Sequence, residues 1–244
     1  MKTQILIAGD LHCGHLLGLT PPEEMRRFVL SKLMEDFWNF WETNTSDKFD
    51  IAFWMGDLIE GEGKRDSSHL LLPCIDDQVD LAVNIISRLN IKRHVFVYGT
   101  PYHVSNNSDY ERYIAENFGG DIKTTQKKII DGIKFDISHK VGKSGSIAGG
   151  DSILKNEMLW AYINDNVDYV IRGHAHEYRL EELDFLTGII CPALKICYPD
   201  LDRYGRGLKG WYTVGFLKMI IEDGVANISK HFFRYKLNRM ETIE

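Results

Sequence analysis

Aspartate and histidine residues recur in five short motifs, and each motif follows a run of residues that predicts a β-strand. The motifs are Asp10-Leu-His12, Gly56-Asp57, Gly99-Thr-Pro-Tyr-His103, Ser138-His139 and Gly173-His-Ala-His176. Carboxylate oxygens and imidazole nitrogens are common protein ligands of Zn, Mn, Fe and Ni. On an extended segment, two ligands separated by one residue point to the same face. The five motifs therefore indicate a site for divalent metal ions.

Hydrophobic periodicity predicts the elements that must position these motifs. In the first half, short apolar strands alternate with amphipathic helices. One of these helices is expected to begin at Thr20, because Thr20 and Glu23 enclose two prolines in the pattern of a capping box. The predicted strands are 4–8, 50–54 and 94–98, and the other predicted helices are 75–89 and 109–118.

The second half of the chain is richer in predicted strands. A hairpin is expected over 129–137 with its turn at Asp131-Gly132. A glycine-rich loop at 142–150 and a helix over 151–163 follow, and 169–171 is the next strand. The remaining strands are expected to be mostly antiparallel and cover 178–183, 189–197, 213–221 and 225–235.

This order of elements predicts an α/β fold in which two sheets pack face to face between outer helices. Residues 1–244 are expected to form one domain, since single α/β domains often reach this size. Sites in α/β sheets collect beyond the carboxyl ends of the strands. The five motifs are therefore expected to converge on one point.

Composition narrows the class of protein. The chain has 44% hydrophobic and 26% charged residues, which is typical of a globular protein and excludes general disorder. No apolar run is long enough to span a bilayer, and no signal peptide is recognised, so we expect no membrane association. The four cysteines show no CxxC spacing, which favours reduced thiols and a cytoplasmic location. The net charge of −6 gives no general attraction for duplex DNA.

The ordered motifs resemble those of the calcineurin-like metallophosphoesterase superfamily, and the resemblance covers residues 5 to about 200. It implies a four-layer αββα sandwich with two divalent metal ions, of which Mn is the first expectation and Fe, Zn and Ni are alternatives. By resemblance, Asp10, His12, Asp57 and His176 would hold the first ion. His139 and His174 would hold the second ion together with Asp57, which would bridge the two.

The third motif departs from the superfamily pattern of Gly-Asn-His. Thr100 stands at the position of the asparagine ligand, Pro101 stands at the position of the catalytic histidine, and His103 follows two residues later. This Gly-Thr-Pro-x-His form resembles the phage and prophage branch, for which the host cytoplasm would be the location. His103 would then take either the catalytic position or a ligand position.

The resemblance implies hydrolysis of a phosphoester by a hydroxide shared between two metal ions, with His103 protonating the leaving oxygen. We expect a phosphodiester substrate, such as a nucleotide or a short single strand of nucleic acid. The alternatives are a phosphomonoesterase acting on protein or nucleotide phosphates, and a metal-binding scaffold without full activity. The sequence does not predict the oligomeric state.

Basic residues in two glycine-containing segments are further candidates for substrate contact. Lys143 lies in the glycine-rich loop, where Gly142-Lys-Ser144 fails the P-loop pattern because Ile137 stands where a glycine is required. Arg203 and Arg206 lie near two aromatic residues and could contact a phosphodiester backbone. With Thr100, these residues complete the predicted substrate-binding set, although an ordinary surface loop is the alternative for each segment.

Overall fold

The structure is a computed structural model that describes residues 2–25, 30–62, 69–104, 109–141, 150–197 and 212–235. Within these ranges the chain forms thirteen strands and five α-helices. The strands are β1 (Lys2–Ala8), β2 (Lys48–Phe49), β3 (Ile51–Trp54), β4 (Asn90–Ile91), β5 (His94–Val97), β6 (Asp121–Lys123), β7 (Thr125–Ile130), β8 (Ile133–Ser138), β9 (Tyr169–Arg172), β10 (Arg179–Leu183), β11 (Leu186–Ile190), β12 (Gly215–Glu222) and β13 (Val225–Phe232). The helices are α1 (Ser31–Asn44), α2 (Ile75–Ser87), α3 (Pro101–Val104), α4 (Tyr110–Asn117) and α5 (Gly150–Asp165).

The strands form two mixed sheets and one short ribbon. The six-stranded sheet has the order β13-β12-β1-β3-β5-β6, in which β1, β3, β5 and β6 are parallel, β12 is antiparallel to β1, and β13 is antiparallel to β12. The five-stranded sheet has the order β10-β11-β9-β8-β7, with a parallel centre of β8, β9 and β11. Strands β2 and β4 pair only with each other.

Along the central strands, apolar side chains alternate between the two faces of the sheet, so both faces are buried. On β1, Ile5 and Ile7 enter the core between the two sheets, whereas Leu6 and Ala8 enter the core beneath α1, α2 and α4. The period of two along a strand explains this division. A third core lies between α5 and the outer face of the five-stranded sheet, where Met158 packs near Val170. The four layers are therefore helices, sheet, sheet and helix, as the sequence predicts.

Two local predictions were wrong. The helix expected from Thr20 is a single 3-10 turn over Pro22–Glu24, and α1 begins only at Ser31. The Thr20 hydroxyl donates to the Gly18 carbonyl and does not cap a helix. Of the expected 189–197 segment, only residues 189 and 190 belong to a strand, β11. Further along, the backbone N–H groups of Leu194 and Ile196 donate to the Gly9 and Leu17 carbonyls. The predicted Asp131-Gly132 turn is confirmed, with φ of 49° and 85° at its two residues.

The described part of the chain contains no helix that is both long enough and apolar enough to cross a membrane.

His94, at the start of β5, gives the fold a defined pH dependence. The indole N–H of Trp54 donates to His94 Nδ1 at 3.0 Å, and burial lowers the pKa of His94 to about 4. An unfolded histidine binds its proton near pH 6.5. Between these two values the unfolded chain holds more protons, so the free energy of unfolding must fall as the pH drops.

We expect His94→Gln to weaken this dependence, because glutamine retains an acceptor for Trp54 and does not titrate. Urea unfolding of both proteins between pH 4 and pH 7 measures the effect. The difference between the two proteins in free energy of unfolding should shrink as the pH falls. Parallel curves across this range would contradict the assignment.

Candidate metal centre

The five motifs meet at the carboxyl ends of strands from both sheets. Asp10 follows β1 and Asp57 follows β3, and these strands are parallel neighbours in the six-stranded sheet. His139 follows β8, and His174 follows β9, its parallel neighbour in the other sheet. Packing the two sheets face to face brings these four strand ends together. The predicted convergence of the motifs is therefore observed.

Asp10, His12 and His176 form the first donor group, with ligand atoms that all lie within 4.8 Å of one another. His176 Nε2 lies 3.1 Å from Asp10 Oδ1 and 3.2 Å from His12 Nε2. His12 is almost completely buried, and burial, followed by the positive charge of Lys195, keeps its pKa well below the ordinary value. A buried neutral imidazole with a free lone pair suits metal ligation.

Asp57, His139 and His174 form a second donor group of the same size. His139 Nε2 lies 3.0 Å from Asp57 Oδ2, and its Nδ1 donates to the Met55 carbonyl at 2.5 Å. Burial alone would lower the pKa of His139, but the charges of Asp57 and Asp10 raise it to about 10. Burial likewise opposes ionisation of Asp57, whose pKa is nevertheless held well below its usual value by His139.

His103 joins the two groups through a third set that it forms with His12 and Asp57. It lies on α3, with Nε2 4.0 Å from Asp57 Oδ2. Thr100 also contacts Asp57. Its backbone N–H and its hydroxyl donate to Asp57 Oδ1 at 2.6 and 3.1 Å, so Thr100 orients the carboxylate.

Two glutamates outside the five motifs, Glu60 and Glu111, support the centre. Glu60 accepts from His12 Nδ1 at 2.7 Å through its side chain, and from His103 Nδ1 at 2.6 Å through its carbonyl. Glu111 accepts from the backbone N–H groups of Leu58 and Gly99. Burial, followed by the charge of Asp57, raises the pKa of Glu111 to about 7. Spacing could have suggested Glu60, which lies three residues after Asp57, but only its contacts identify its role.

The loops that carry the donors have unusual backbone geometry. Asp10, His12, Asp57, His174 and His176 all have φ between 47° and 69°. They are five of the eight described non-glycine residues with positive φ. The expectation of an extended Asp-x-His segment was therefore wrong, since both residues are left-handed. Each such residue costs about 1 kcal/mol or more, and strain of this kind is concentrated at functional sites.

Gly99 shows how closely the backbone surrounds Asp57. A Cβ at Gly99 would lie 2.1 Å from Asp57 Oδ1 and 2.3 Å from its backbone nitrogen. No side chain can therefore stand at this position unless Asp57 moves. The glycine of the Gly99-Thr100 motif is required by this close approach.

The donor set fits divalent metal ions. Among the described residues, Asp10 Oδ1 and His139 Nε2 are buried side-chain atoms that lack a hydrogen bond of acceptable geometry. Such buried polar atoms are expensive unless an unplaced partner satisfies them. Carboxylate and imidazole donors with this spacing suit Mn, Fe, Zn or Ni.

The predicted site residues thus fall into two sets. Asp10, His12, Asp57, Thr100, His103, His139, His174 and His176 lie together at the centre. Lys143, Arg203 and Arg206 lie outside the described residues, so their predicted contacts with substrate stay predictions.

No protein-family model and no curated protein matches the sequence. Solved structures with partial likeness include Vacuolar Protein Sorting 29 from Cryptosporidium parvum, with 15% identity, a TM-score of 0.47 and coverage of 96% of this chain and 99% of that one. A predicted phosphoesterase from Streptococcus pneumoniae has 13% identity and a TM-score of 0.45, with coverage of 94% and 98%. An archaeal phosphodiesterase has 17% identity and a TM-score of 0.46, with coverage of 93% and 99%. At these values none of the three establishes a family or an activity, and the function has to be inferred from the chain's own residues.

Proposed function

We propose that this chain is a metal-dependent phosphodiesterase that uses two divalent cations, with Mn as the first to test. The observation that carries the proposal is a single cluster of seven donor residues in three overlapping groups. Six of them lie in loops that follow strands, and His103 lies on α3, which follows β5. The order of the motifs, which resembles that of calcineurin-like metallophosphoesterases, supports the same assignment. The cysteine pattern favours a cytoplasmic location.

In this proposal, Asp10, His12 and His176 hold one cation, and His139 and His174 hold the other. Asp57 would be shared by the two, because its carboxylate is within reach of both His139 and the pair of His12 and His103. When bound, two cations supply a water of lowered pKa and neutralise charge on a phosphoryl group. The burial of Asp10, Asp57 and His139 keeps bulk water from competing for these donors.

His103 is the proposed proton donor. Its Nδ1 donates to the Glu60 carbonyl, which can only accept, so Nε2 is the nitrogen that faces Asp57 and the centre. In the imidazolium form, His103 would hold its second proton at Nε2 and deliver it to the leaving oxygen of the substrate. His103 is partly exposed, which allows a substrate to approach it.

The proposed substrate is a nucleotide or a short single strand of nucleic acid. The net charge of −6 opposes a broad contact with duplex DNA. A small phosphodiester requires only a local cation site, which bound metal ions provide even in an acidic chain.

Elemental analysis of protein purified without chelator, together with hydrolysis of a bis-aryl phosphodiester and an aryl phosphomonoester in Mn, tests the proposal. Two metal ions per chain and preferential cleavage of the diester are expected. Preferential cleavage of the monoester would favour a phosphomonoesterase. Less than one metal ion per chain and no hydrolysis of either ester would contradict the proposal.

One observation favours a second candidate, which is a metal-binding scaffold without full activity. Thr100 stands where the superfamily pattern has an asparagine ligand, and its hydroxyl donates to Asp57 Oδ1. Without an asparagine, the second donor group consists of one carboxylate and two imidazoles among the described residues. The scaffold predicts at most one bound ion and no hydrolysis of either ester.

We expect His103→Ala to lower turnover at least about tenfold while both metal ions are retained, since general-acid catalysis is worth about 10²–10⁴-fold. Steady-state kinetics and elemental analysis on the same preparation measure the two quantities. His69→Ala provides a control, because His69 is not in any of the donor groups. Loss of one metal ion would show instead that His103 is a ligand.

A further inference from the structure

Lys195 reaches the metal centre from the segment that was expected to be a strand. The backbone N–H of Leu194 donates to the Gly9 carbonyl at 3.2 Å, and that of Ile196 donates to the Leu17 carbonyl at 2.8 Å. These bonds hold the segment across the loop that carries Asp10 and His12. The side chain of Lys195 is 11% exposed, and its Nζ lies 3.8 Å from Glu60 Oε2.

Glu60 holds two of the site's imidazoles at once. Its carboxylate accepts from His12 Nδ1 and its carbonyl accepts from His103 Nδ1, and both Nε2 atoms therefore face the donor cluster. The two rings also pack edge to face, with centroids 4.7 Å apart. A histidine whose Nδ1 donates to a carboxylate keeps the lone pair on Nε2, which is the form that binds metal.

The charges around Glu60 indicate that Lys195 has an electrostatic role as well as a role in packing. Glu60 is a buried carboxylate, and a buried carboxylate needs a positive partner. Lys195 is the lysine or arginine that the described residues place within salt-bridge distance of Glu60. Lys195 Nζ and His12 Nδ1 both approach Glu60 Oε2, at 3.8 and 2.7 Å.

We propose that Lys195 and Glu60 are positioning residues that act one through the other. Lys195 holds the Glu60 carboxylate in place, and this carboxylate fixes the His12 ring with Nε2 toward the donor cluster. Neither residue touches the substrate or the cation in this proposal. The effect on cation affinity rests on the proposed function, whereas the effect on the His12 ring does not.

The first test uses the metal-free chain. Nitrogen-15 NMR of the histidine rings distinguishes the tautomer with the proton on Nδ1 from the tautomer with the proton on Nε2. In the wild type, His12 and His103 should both carry the proton on Nδ1. Glu60→Ala should shift His12 toward the other tautomer and leave His103 unchanged, because the backbone carbonyl remains. Lys195→Met should shift His12 in the same direction by less, and Lys195→Arg should restore it.

The second test is a double-mutant cycle on Mn affinity, measured by calorimetry. Glu60→Ala should weaken binding about 10–100-fold. Lys195→Met should weaken it about threefold or more in the wild type and less than about twofold when Glu60 is already alanine. This cycle separates positioning from simple repulsion between Lys195 and the cation, because repulsion would strengthen binding in both backgrounds when Lys195 is removed.

Lys155→Met is the matched control. Lys155 lies on α5 and pairs with Glu181 at 3.3 Å, so this variant removes a lysine–glutamate pair, although a more exposed one, at another part of the fold. It should change neither the tautomers nor the Mn affinity. Thermal unfolding of each variant checks that the fold is retained.

An unchanged His12 tautomer in both Glu60→Ala and Lys195→Met would overturn the proposal. Equal effects of Lys195→Met on Mn affinity in the two backgrounds would also overturn it. If the tautomers respond as expected but the wild type binds no Mn, the positioning role holds and the proposed function fails.

Discussion

Asp57→Asn is expected to abolish hydrolysis and to reduce the metal content from two ions per chain to one or none. Asp57 Oδ1 accepts from Thr100, and Oδ2 faces His139 Nε2 at 3.0 Å. An asparagine must place its NH₂ group on one of these sides, where it either meets the Thr100 N–H or removes the donor oxygen near His139. Loss of a central electrostatic group lowers turnover by roughly 10²–10³-fold at least.

Elemental analysis and diester hydrolysis by the same preparation measure this result. Asp121→Asn is the matched control, because Asp121 is an exposed carboxylate on β6 that pairs with Lys123. It should leave the metal content and the turnover unchanged. Full occupancy by two ions together with wild-type turnover in Asp57→Asn would show that Asp57 is not shared by the two donor groups.

Phe53→Ala is expected to lower the free energy of unfolding by about 3–5 kcal/mol, the range for truncation of a buried phenylalanine. Phe53 is completely buried in the core between the sheets, and its ring meets that of Phe135 at a centroid distance of 5.6 Å. This core joins the sheet that carries Asp10 and Asp57 to the sheet that carries His139. Its loss should therefore weaken Mn binding as well.

Urea unfolding and calorimetry of Mn binding measure the two effects. The control is Phe185→Ala, since Phe185 is 50% exposed in the turn between β10 and β11. It should cost about 1 kcal/mol or less and leave Mn affinity unchanged. If Phe53→Ala and Phe185→Ala lowered the free energy of unfolding equally, the core between the two sheets would not be what holds them together.

Some of the fold could be read from the chain because the signals are local. The Asp131-Gly132 turn tolerates positive φ, and the apolar runs of β1, β3 and β5 end within a residue or two of the predicted ends. The capping signal at Thr20 was misleading for the same reason. A capping box is a weak local signal that tertiary contacts can override, and here the Thr20 hydroxyl bonds to the Gly18 carbonyl instead of capping a helix.

The pairing of strands that are far apart in the sequence could not be predicted from the sequence. The apolar residues after Cys191 resemble a strand, but their N–H groups bond to the Gly9 and Leu17 loops and to Thr213. No pairing partner was predicted for the strands over 213–221 and 225–235, and β12 pairs with β1 of the six-stranded sheet. Side-chain periodicity predicts which face of a strand is apolar, but it does not predict which strand lies beside it.

The sequence by itself determined the two apolar faces of each central strand, the αββα layering and the donor motifs at the strand ends, because these follow from periodicity and short spacing. The tertiary structure alone decided how these strand ends are divided between the sheets, with β1 and β3 in one and β8 and β9 in the other. It alone also placed Lys195 beside Glu60, and Glu60 beside His12. Those contacts join residues far apart in the chain, and they form only when the burial of Ile5, Phe53 and Phe135 brings the two sheets together.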